Sequence, residues 1–442
     1  MDLSQLLAST GDGVMTILFF IIALSVIVAI HEYGHYIVGR WCGISADVFS
    51  VGFGPTLLSR VDKRGTRWQI AAIPFGGYVK FAGDKNAASV GGEEVEGAGP
   101  ARNTMLGAPL WARALTVAAG PIANFILAVF IFAGFFLIQG QPTAKLIVAS
   151  QHELPVGFES ELLAGDEILF VDGIDLMSSE GPYLDSLPDA QYRTYTIIRD
   201  GEQIEVSGPN PFVPRIASLL PRSAADDADL KIDDVITAID GTSVYTFDQI
   251  IEGVEAGGGG EITLDVWRDG DVIQLELTPR RVDNPLPDGG FEQRLLIGVT
   301  GEYFFIPTTE PVGIVEAFSR AFGRLWFAIR LSLEGIWQVI VGGISTCNIS
   351  GPIAIAEASG SMASQGATSY ILFVGMISVA IGLFNLFPIP ILDGGHLVFY
   401  AYEAIAGQKP TDRALRIFMS IGLSLIGALM IFAILNDLVL CP

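Results

Sequence analysis

The feature that most restricts this chain is a set of four long runs with no charged residue, at 13–30, 114–138, 358–392 and 417–436. About 20 mostly apolar residues in helical form cross a bilayer core, because lipid offers no partner to free backbone groups. Each run reaches that length, the apolar part of the third starting near Tyr370. Only 17% of the residues are charged and the mean hydropathy is +0.50, whereas soluble proteins carry about 25% charged residues. Asp2 and Asp12 precede the first run, and the first basic residue is Arg40. A cleaved leader needs a basic start, so this run reads as a retained span. The expected fold is a multi-pass α-helical membrane protein with four spans.

Charge then orients the spans. Residues 39–113 hold nine Lys/Arg against six Asp/Glu, and residues 139–312 hold ten against thirty-two. Nearly all of the net charge of −23 therefore lies in the second segment. Basic loops stay cytoplasmic, and Lys409, Arg413 and Arg416 in the short 403–416 loop point the same way. Both termini and the acidic segment are expected outside the cytoplasm. Such acidity argues against nucleic acid as a partner, which needs a basic footprint.

The acidic segment repeats itself. Residues 162–173 align with 230–241 at a constant offset of 68, matching Asp166 with Asp234 and Asp172-Gly173 with Asp240-Gly241. An apolar strand running into Asp-Gly signals a turn. Two inserted mainly-β units are expected, at 145–210 and 211–285, followed by a linker at 286–312. The pattern resembles PDZ domains, most clearly over 223–244, and PDZ modules bind peptides by adding a strand to a sheet edge. Two β-rich spacers without a ligand are the plain alternative. In the 313–357 segment, Glu316, Arg320, Arg324, Arg330 and Glu334 fall within about 120° on a helix. That stripe fits an amphipathic helix at the membrane interface, and equally a soluble helix packed on the second β unit.

His31-Glu32-Tyr33-Gly34-His35 is an H-E-x-x-H motif. Positions i and i+4 share a helix face, so both imidazoles can hold one zinc with Glu32 beside it. The motif directly continues an apolar span, where ionisable residues are expensive and functional. Catalytic zinc takes three protein ligands and leaves a fourth position open. Asp393, in Leu392-Asp393-Gly394-Gly395-His396, is the first charge after the third run. Spans one and three run in the same direction, which brings Asp393 to the depth of His31 and His35. His396 is a rival third ligand at the same depth, and depth alone does not choose between them.

The motif after span one, Asn385-Leu386-Phe387-Pro388-Ile389-Pro390-Ile391-Leu392-Asp393-Gly394, and the paired β units together resemble the site-2 protease family. The likeness is strongest to its Gram-negative, regulator-of-sigma-E branch with tandem PDZ domains. It extends to Gly52-Phe53-Gly54, to Gly120-Pro121-Ile122-Ala123-Asn124 and to Ser350-Gly351-Pro352-Ile353. It implies Zn2+ held by His31, His35 and Asp393, and Glu32 as the catalytic acid/base. It also implies a bacterial inner membrane location with periplasmic PDZ units and a metal site toward the cytoplasmic side. Zinc acidifies water and polarises a carbonyl; Glu32 would take the proton and pass it to the leaving nitrogen.

A helical substrate must unwind before cleavage, and lipid cannot satisfy the released groups. Residues 56–80 read as a hairpin about Lys63-Arg64-Gly65, with Ile70 and Ala71 in its second arm, and resemblance suggests that this membrane-associated element engages substrate. Asn385, near the break at Pro388 and Pro390, is expected to hold the unwound strand, a helix cap being its plainer role. Asn124 reads equally as a buried polar contact between spans. Cys42 is expected to be a small interfacial residue, His152 a surface residue, and 82–103 a flexible stretch. Cys347 and Cys441 both fall on the outer side, where a disulfide is conceivable.

The expected division is therefore 1–39 (first span), 40–113 (loop with hairpin), 114–144 (second span), the two β units and linker above, 313–357, 358–402 (third span with LDGGH), 403–416 and 417–442 (fourth span). The expected activity is zinc-dependent intramembrane endopeptidase action on pre-trimmed single-span membrane proteins of the anti-sigma factor type or on remnant signal peptides, gated by the PDZ pair. A non-catalytic zinc-containing scaffold presenting PDZ domains is the alternative, and a membrane-anchored zincin acting on soluble proteins a third.

Overall fold

The computed structural model describes residues 3–83, 101–176, 190–286 and 290–440. Most of the expected flexible stretch at 82–103 lies outside the described residues, as does Cys441. The chain divides into two units, one of Met1–Phe135, Ala317–Ile340 and Thr346–Pro442, the other of Phe136–Glu316 and Val341–Ser345. Four helical stretches are long and apolar enough to cross a membrane: Gly13–Trp41, Leu110–Gln139, Ala367–Asn385 and Arg413–Leu440.

Helix α1 (Leu3–Trp41) continues unbroken through the H-E-x-x-H motif. It stops where Gly43 takes φ +82, with the Ile44 N–H donating to Gly39 O at 2.9 Å, a left-handed helix end that suits glycine. Strands β1 (Ala46–Val61) and β2 (Arg67–Phe81) follow, so the hairpin expected over 56–80 begins ten residues earlier. The first half of β1 registers with Gly77–Lys80 on one side and Arg67–Ile70 on the other, while Leu58–Val61 covers the far side of Arg67–Ile70. Two long bent strands thus make a four-segment sheet. Helix α2 (Leu110–Gln139) carries Pro121 inside it and ends before Gly140 at φ +74.

The second unit holds two larger sheets and three two-stranded ones. The first runs in the order Phe305–Pro307, Leu146–Gln151, Glu167–Val171, Tyr192–Arg199, Glu202–Pro209. The second runs Thr242–Ser243, Val235–Ile239, Ile262–Arg268, Asp271–Leu277, accompanied by α3 (Ala224–Asp227) and α4 (Phe247–Ala256). Their cores centre on Val148, Tyr195 and Ile197 and on Ile236, Leu264 and Val266, all fully buried. Each such aliphatic side chain contributes roughly 1.5–3 kcal/mol on burial.

The sequence repeat is a repeat in space. Arg199 Nη2 reaches Asp166 Oδ2 at 2.7 Å, and Arg268 Nη2 reaches Asp234 Oδ2 at 2.6 Å. Asp172 and Asp240 both have φ +47, followed by Gly173 at φ +81 and Gly241 at φ +76, the left-handed pair that a tight two-residue turn requires.

Two expectations are corrected here. The described part of the 286–312 segment is not a bare linker: it adds an edge strand to the first sheet and forms two-stranded ladders with Arg280–Pro285 and Ser218–Leu219. Phe291–Leu296 pairs with Arg280–Pro285, Val299–Thr300 with Ser218–Leu219, and Phe305–Pro307 with Leu146–Gln151, burying Ile297, Phe304 and Phe305. Strands this short, separated by Gly298 and Gly301, carry no readable period. His152 is half-buried rather than on the open surface: its Nε2 lies 3.4 Å from Glu302 Oε1, which also accepts from Arg215. Finally, Gln141–Pro142 pairs with Thr309–Glu310, and Gln141 Nε2 donates to Glu310 Oε1 at 2.8 Å. The chain enters and leaves the 143–308 stretch through this two-stranded neck.

Helix α5 (Ile314–Val341) buries a face of Ala317, Ala321 and Ala328, the last two packed with Ala128, Phe132 and Val379. The Arg324 guanidinium lies 5.5 Å from the Phe132 ring centroid, and Phe322, Trp326, Phe327 and Trp337 are exposed. The run expected to cross as one span over 358–402 is divided into α6 (Pro352–Ser364), α7 (Ala367–Asn385) and α8 (Asp393–Ala406). Gly366, at φ +109, separates the first two; Pro388 and Pro390, lacking N–H donors, keep 386–392 out of helix. Helix α9 (Asp412–Leu435) closes the order. Its continuation places Asp437 at the start of α6, accepting from the Gly351 N–H at 2.9 Å and the Ala354 N–H at 3.1 Å. Cys347 is in a disulfide.

Between apolar helices in lipid there is little hydrophobic driving force, so close approach through small residues takes its place. Gly34 lies where a side chain would overlap Ala119 O and Ala123, bringing α1 onto α2. A Cβ at Gly382 would stand 3.1 Å from Pro121 O, bringing α7 onto the same stretch of α2.

Candidate metal centre

The helical spacing of the motif sets His31 and His35 with ring centroids 4.8 Å apart and their Nε2 atoms at 3.2 Å. Asp393, the first residue of α8, brings Oδ2 to 3.1 Å from His31 Nε2 and 3.5 Å from His35 Nε2. Among the described residues, these three make the one cluster of His, Cys, Asp or Glu donors able to share an ion. His396, one turn further along α8, packs edge-on to Phe399 and is outside the cluster. Glu32 sits beside it, accepting from the backbone of Val79, and a Cβ on Gly77 would be 3.4 Å from its Cγ. Helix α1 is thus flanked at Glu32 by the Gly77–Lys80 edge of the sheet.

The outer nitrogens decide what the inner ones can do. His35 Nδ1 donates to Thr116 O at 2.8 Å, which in the neutral ring leaves the lone pair on Nε2. The Asn124 amide lies 3.2 Å from His31 Nδ1 through Nδ2, while its buried Oδ1 has no partner. An amide's two ends are distinguished only by their hydrogen bonds. Turned by 180°, Asn124 Oδ1 accepts from the His31 Nδ1–H. Both Nε2 lone pairs then face Asp393 Oδ2, a buried oxygen that also lacks a hydrogen bond. Three electron-pair donors converging in this way repel unless a cation lies among them. Tetrahedral zinc with bonds near 2.0 Å sets its ligand atoms about 3.3 Å apart, and the three measured separations, 3.1, 3.2 and 3.5 Å, bracket that value. The donor set fits zinc.

Gly120 of α2 forms the wall of this cradle. A Cβ there would overlap His35 Nε2 and come within 2.8 Å of His31 Nε2.

The remaining expected site residues lie on the sheet and α7. Gly52 (φ +91) and Gly54 (φ +84) bend β1, and a Cβ at Gly52 would be 2.8 Å from Ile73 O. Phe53 and Ile70 are exposed, Phe53 stacking on Tyr78 at 6.1 Å, whereas Ala71 is buried. Asn385 Nδ2 donates to Ile381 O at 3.0 Å, within the last turn of its own helix. Cys42 is a free thiol beside the Tyr36 cluster. Thr116 O, Gly120 and the orienting role of Asn124 were not foreseen from sequence: one is a backbone atom and one a missing side chain.

The profile of Peptidase family M50 matches residues 19–429. The chain belongs to Peptidase family M50. A protein of Agrobacterium fabrum that carries the name of a zinc metalloprotease is 35% identical over 444 residues, 99% of both chains. The regulator of sigma-E protease RseP of Salmonella typhimurium is 32% identical over 449 residues, covering 95% of this chain and 97% of its own. A solved PDZ domain of the SdrC-like protein of Listeria monocytogenes aligns with 21% of this chain and 87% of its own length, at 21% identity and a TM-score of 0.17. Membership makes the M50 chain a metalloprotease of the site-2 protease family, which is zinc-dependent, and a multi-pass inner membrane protein.

Proposed function

We propose that this chain cuts single-span membrane proteins within the bilayer, with zinc held by His31, His35 and Asp393 and with Glu32 as general base and acid. The observation that carries the reading is the convergence of three donor side chains, His31 and His35 on a helix apolar enough to cross a membrane and Asp393 at the start of α8, with Glu32 alongside. Zinc supplies Lewis acidity, lowering the pKa of water and polarising a carbonyl. Thr116 O and Asn124 hold the imidazoles in the tautomer that leaves Nε2 free. Glu32 takes a proton from water at its carboxylate and delivers it to the leaving amide nitrogen.

The substrate is an unwound strand whose backbone needs partners in a place where lipid offers none. The β1–β2 sheet, bordering Glu32 at Gly77 and carrying Gly52, Phe53, Gly54, Ile70 and Ala71, is the element that supplies them; Asn385, at the end of α7, holds the strand beyond. Substrates are of the anti-sigma type or remnant signal peptides, already trimmed outside the membrane. The paired β units act as periplasmic PDZ modules that bind peptide segments and exclude bulky outer domains, and the metal lies toward the cytoplasmic side. The test is cleavage of a truncated single-span substrate by purified protein and by Glu32→Gln. The variant is expected to lose about 100- to 10,000-fold in rate while still binding zinc. Equal rates for the two would overturn the assignment of Glu32 and leave a non-catalytic scaffold as the better description.

A further inference from the structure

Asp393 reaches the two histidines from a helix with few anchors of its own. Helix α8 has 14 residues, and only Gly394 and Gly395 are buried. These two fit against the carbonyls of Leu386, Phe387 and Ile389, where any side chain would overlap. Further along, Leu397 and Tyr400 lie half-buried on the cluster around Tyr36 and Ala112. At the far end Glu403 accepts two hydrogen bonds from Arg113 of α2, Nη1 to Oε2 at 3.0 Å and Nη2 to Oε1 at 2.6 Å. The two side chains are 8% and 15% exposed, and the guanidinium also lies 5.1 Å from the Tyr400 ring centroid.

We propose that the Arg113–Glu403 pair positions Asp393, by fastening α8 to the same turn of α2 that orients His35. The inference rests on the zinc ligand set given above and deepens it. Arg113 stands three residues, one helical turn, before Thr116, whose carbonyl holds His35 Nδ1. Glu403 stands ten residues after Asp393, about 15 Å along a helix. Over that lever a tilt of about 1° moves Asp393 by about 0.3 Å, already beyond the roughly 0.2 Å latitude of a metal–ligand distance. A two-pronged guanidinium–carboxylate contact resists both tilt and rotation, which the point charge of a lysine does not. A buried ion pair adds little net stability because desolvation offsets its attraction, so geometry accounts for this one better than stability does. Arg113 and Glu403 are positioning residues; the metal-ligating atoms are reached only through α2 and α8.

The experiment compares the full-length protein with Glu403→Gln, Arg113→Lys and Asp393→Ala. Each is titrated with zinc against a chromophoric chelator, its visible absorption is recorded with cobalt in place of zinc, and its melting is followed in the same detergent. Glu403→Gln and Arg113→Lys are expected to melt below the parent, since either leaves a buried partner imperfectly matched, and in addition to bind zinc about 10- to 100-fold more weakly, with an altered cobalt spectrum and a lower kcat at unchanged KM. Parental zinc affinity and cobalt spectrum in both variants, whatever their melting, overturn the positioning role while Asp393→Ala loses the metal. If Asp393→Ala instead retains parental affinity, it is the ligand assignment itself that fails.

Discussion

At Gly120 the lack of a side chain is a chemical requirement. Replacing a helical glycine by alanine ordinarily stabilises by about 1 kcal/mol, so Gly120→Ala should help α2 as a helix. The added methyl would nonetheless overlap His35 Nε2. We expect zinc affinity to fall at least about tenfold, measured by chelator competition, while the gain in helix propensity is offset in melting temperature by the overlap. Unchanged affinity would mean that the rings have room to spare. Residues of this kind are the least legible in a sequence. His31, Glu32 and His35 announce themselves by spacing, and Asp393 by being the first charge after an apolar run. The Thr116 carbonyl carries no side-chain signal at all, and Gly120 in isolation is one of 51 glycines.

At the level of elements, the pairing of Asp166 with Arg199 anchors each start of a repeat to its third strand. Burial pushes the Asp166 carboxyl up, and the Arg199 hydrogen bonds with the Leu163 N–H outweigh it, leaving its pKa below the ordinary aspartate value. A depressed folded pKa contributes stability that is present above the unfolded value of about 3.9 and is lost as pH falls through the folded one. The first β unit should therefore hold constant stability through neutral pH and weaken below about pH 4. Asp166→Asn should cost on the order of 1.5–3 kcal/mol near neutrality and flatten this acid dependence, as followed by thermal unfolding at stepped pH. An unaltered acid limb would assign the effect to another group. The long elements were legible because their signals are long: α1, α2, α7 and α9 follow the apolar runs, and the Asp-Gly turns mark both β units. The division between α6 and α7 at Gly366 was not, since nothing in an uncharged run distinguishes a glycine that turns the chain from one that lets helices meet. The Arg113–Glu403 contact spans 290 residues, beyond any local pattern.

For the molecule as a whole, the pairing of 291–307 with strands of both β units changes how the proposed gating role is tested. Removing only the two β units as read from sequence would strand Phe304, Phe305 and their neighbours without a core. The excision that respects the structure takes out 143–308 and joins Pro142 to Thr309 through a short glycine turn, since those residues already pair. We expect the shortened enzyme to cut pre-trimmed substrate at a rate within about threefold of the parent, the ordinary context-dependence of a remote change, and to cut substrates with intact outer domains that the parent refuses. Continued refusal would remove the filter from the mechanism.

The neck formed by Gln141–Pro142 and Thr309–Glu310 also bears on how the chain assembles. Helices α2 and α5 are far apart in sequence, and closing so long a loop costs more entropy than closing one of a few residues, by about 3 kcal/mol on logarithmic scaling. Once the neck has zipped, that difference is already met by the insert, and α2 and α5 become the two arms of what is topologically a short hairpin. On this account the closed neck shortens the effective chain across which the helices carrying His31, His35 and Asp393 find one another.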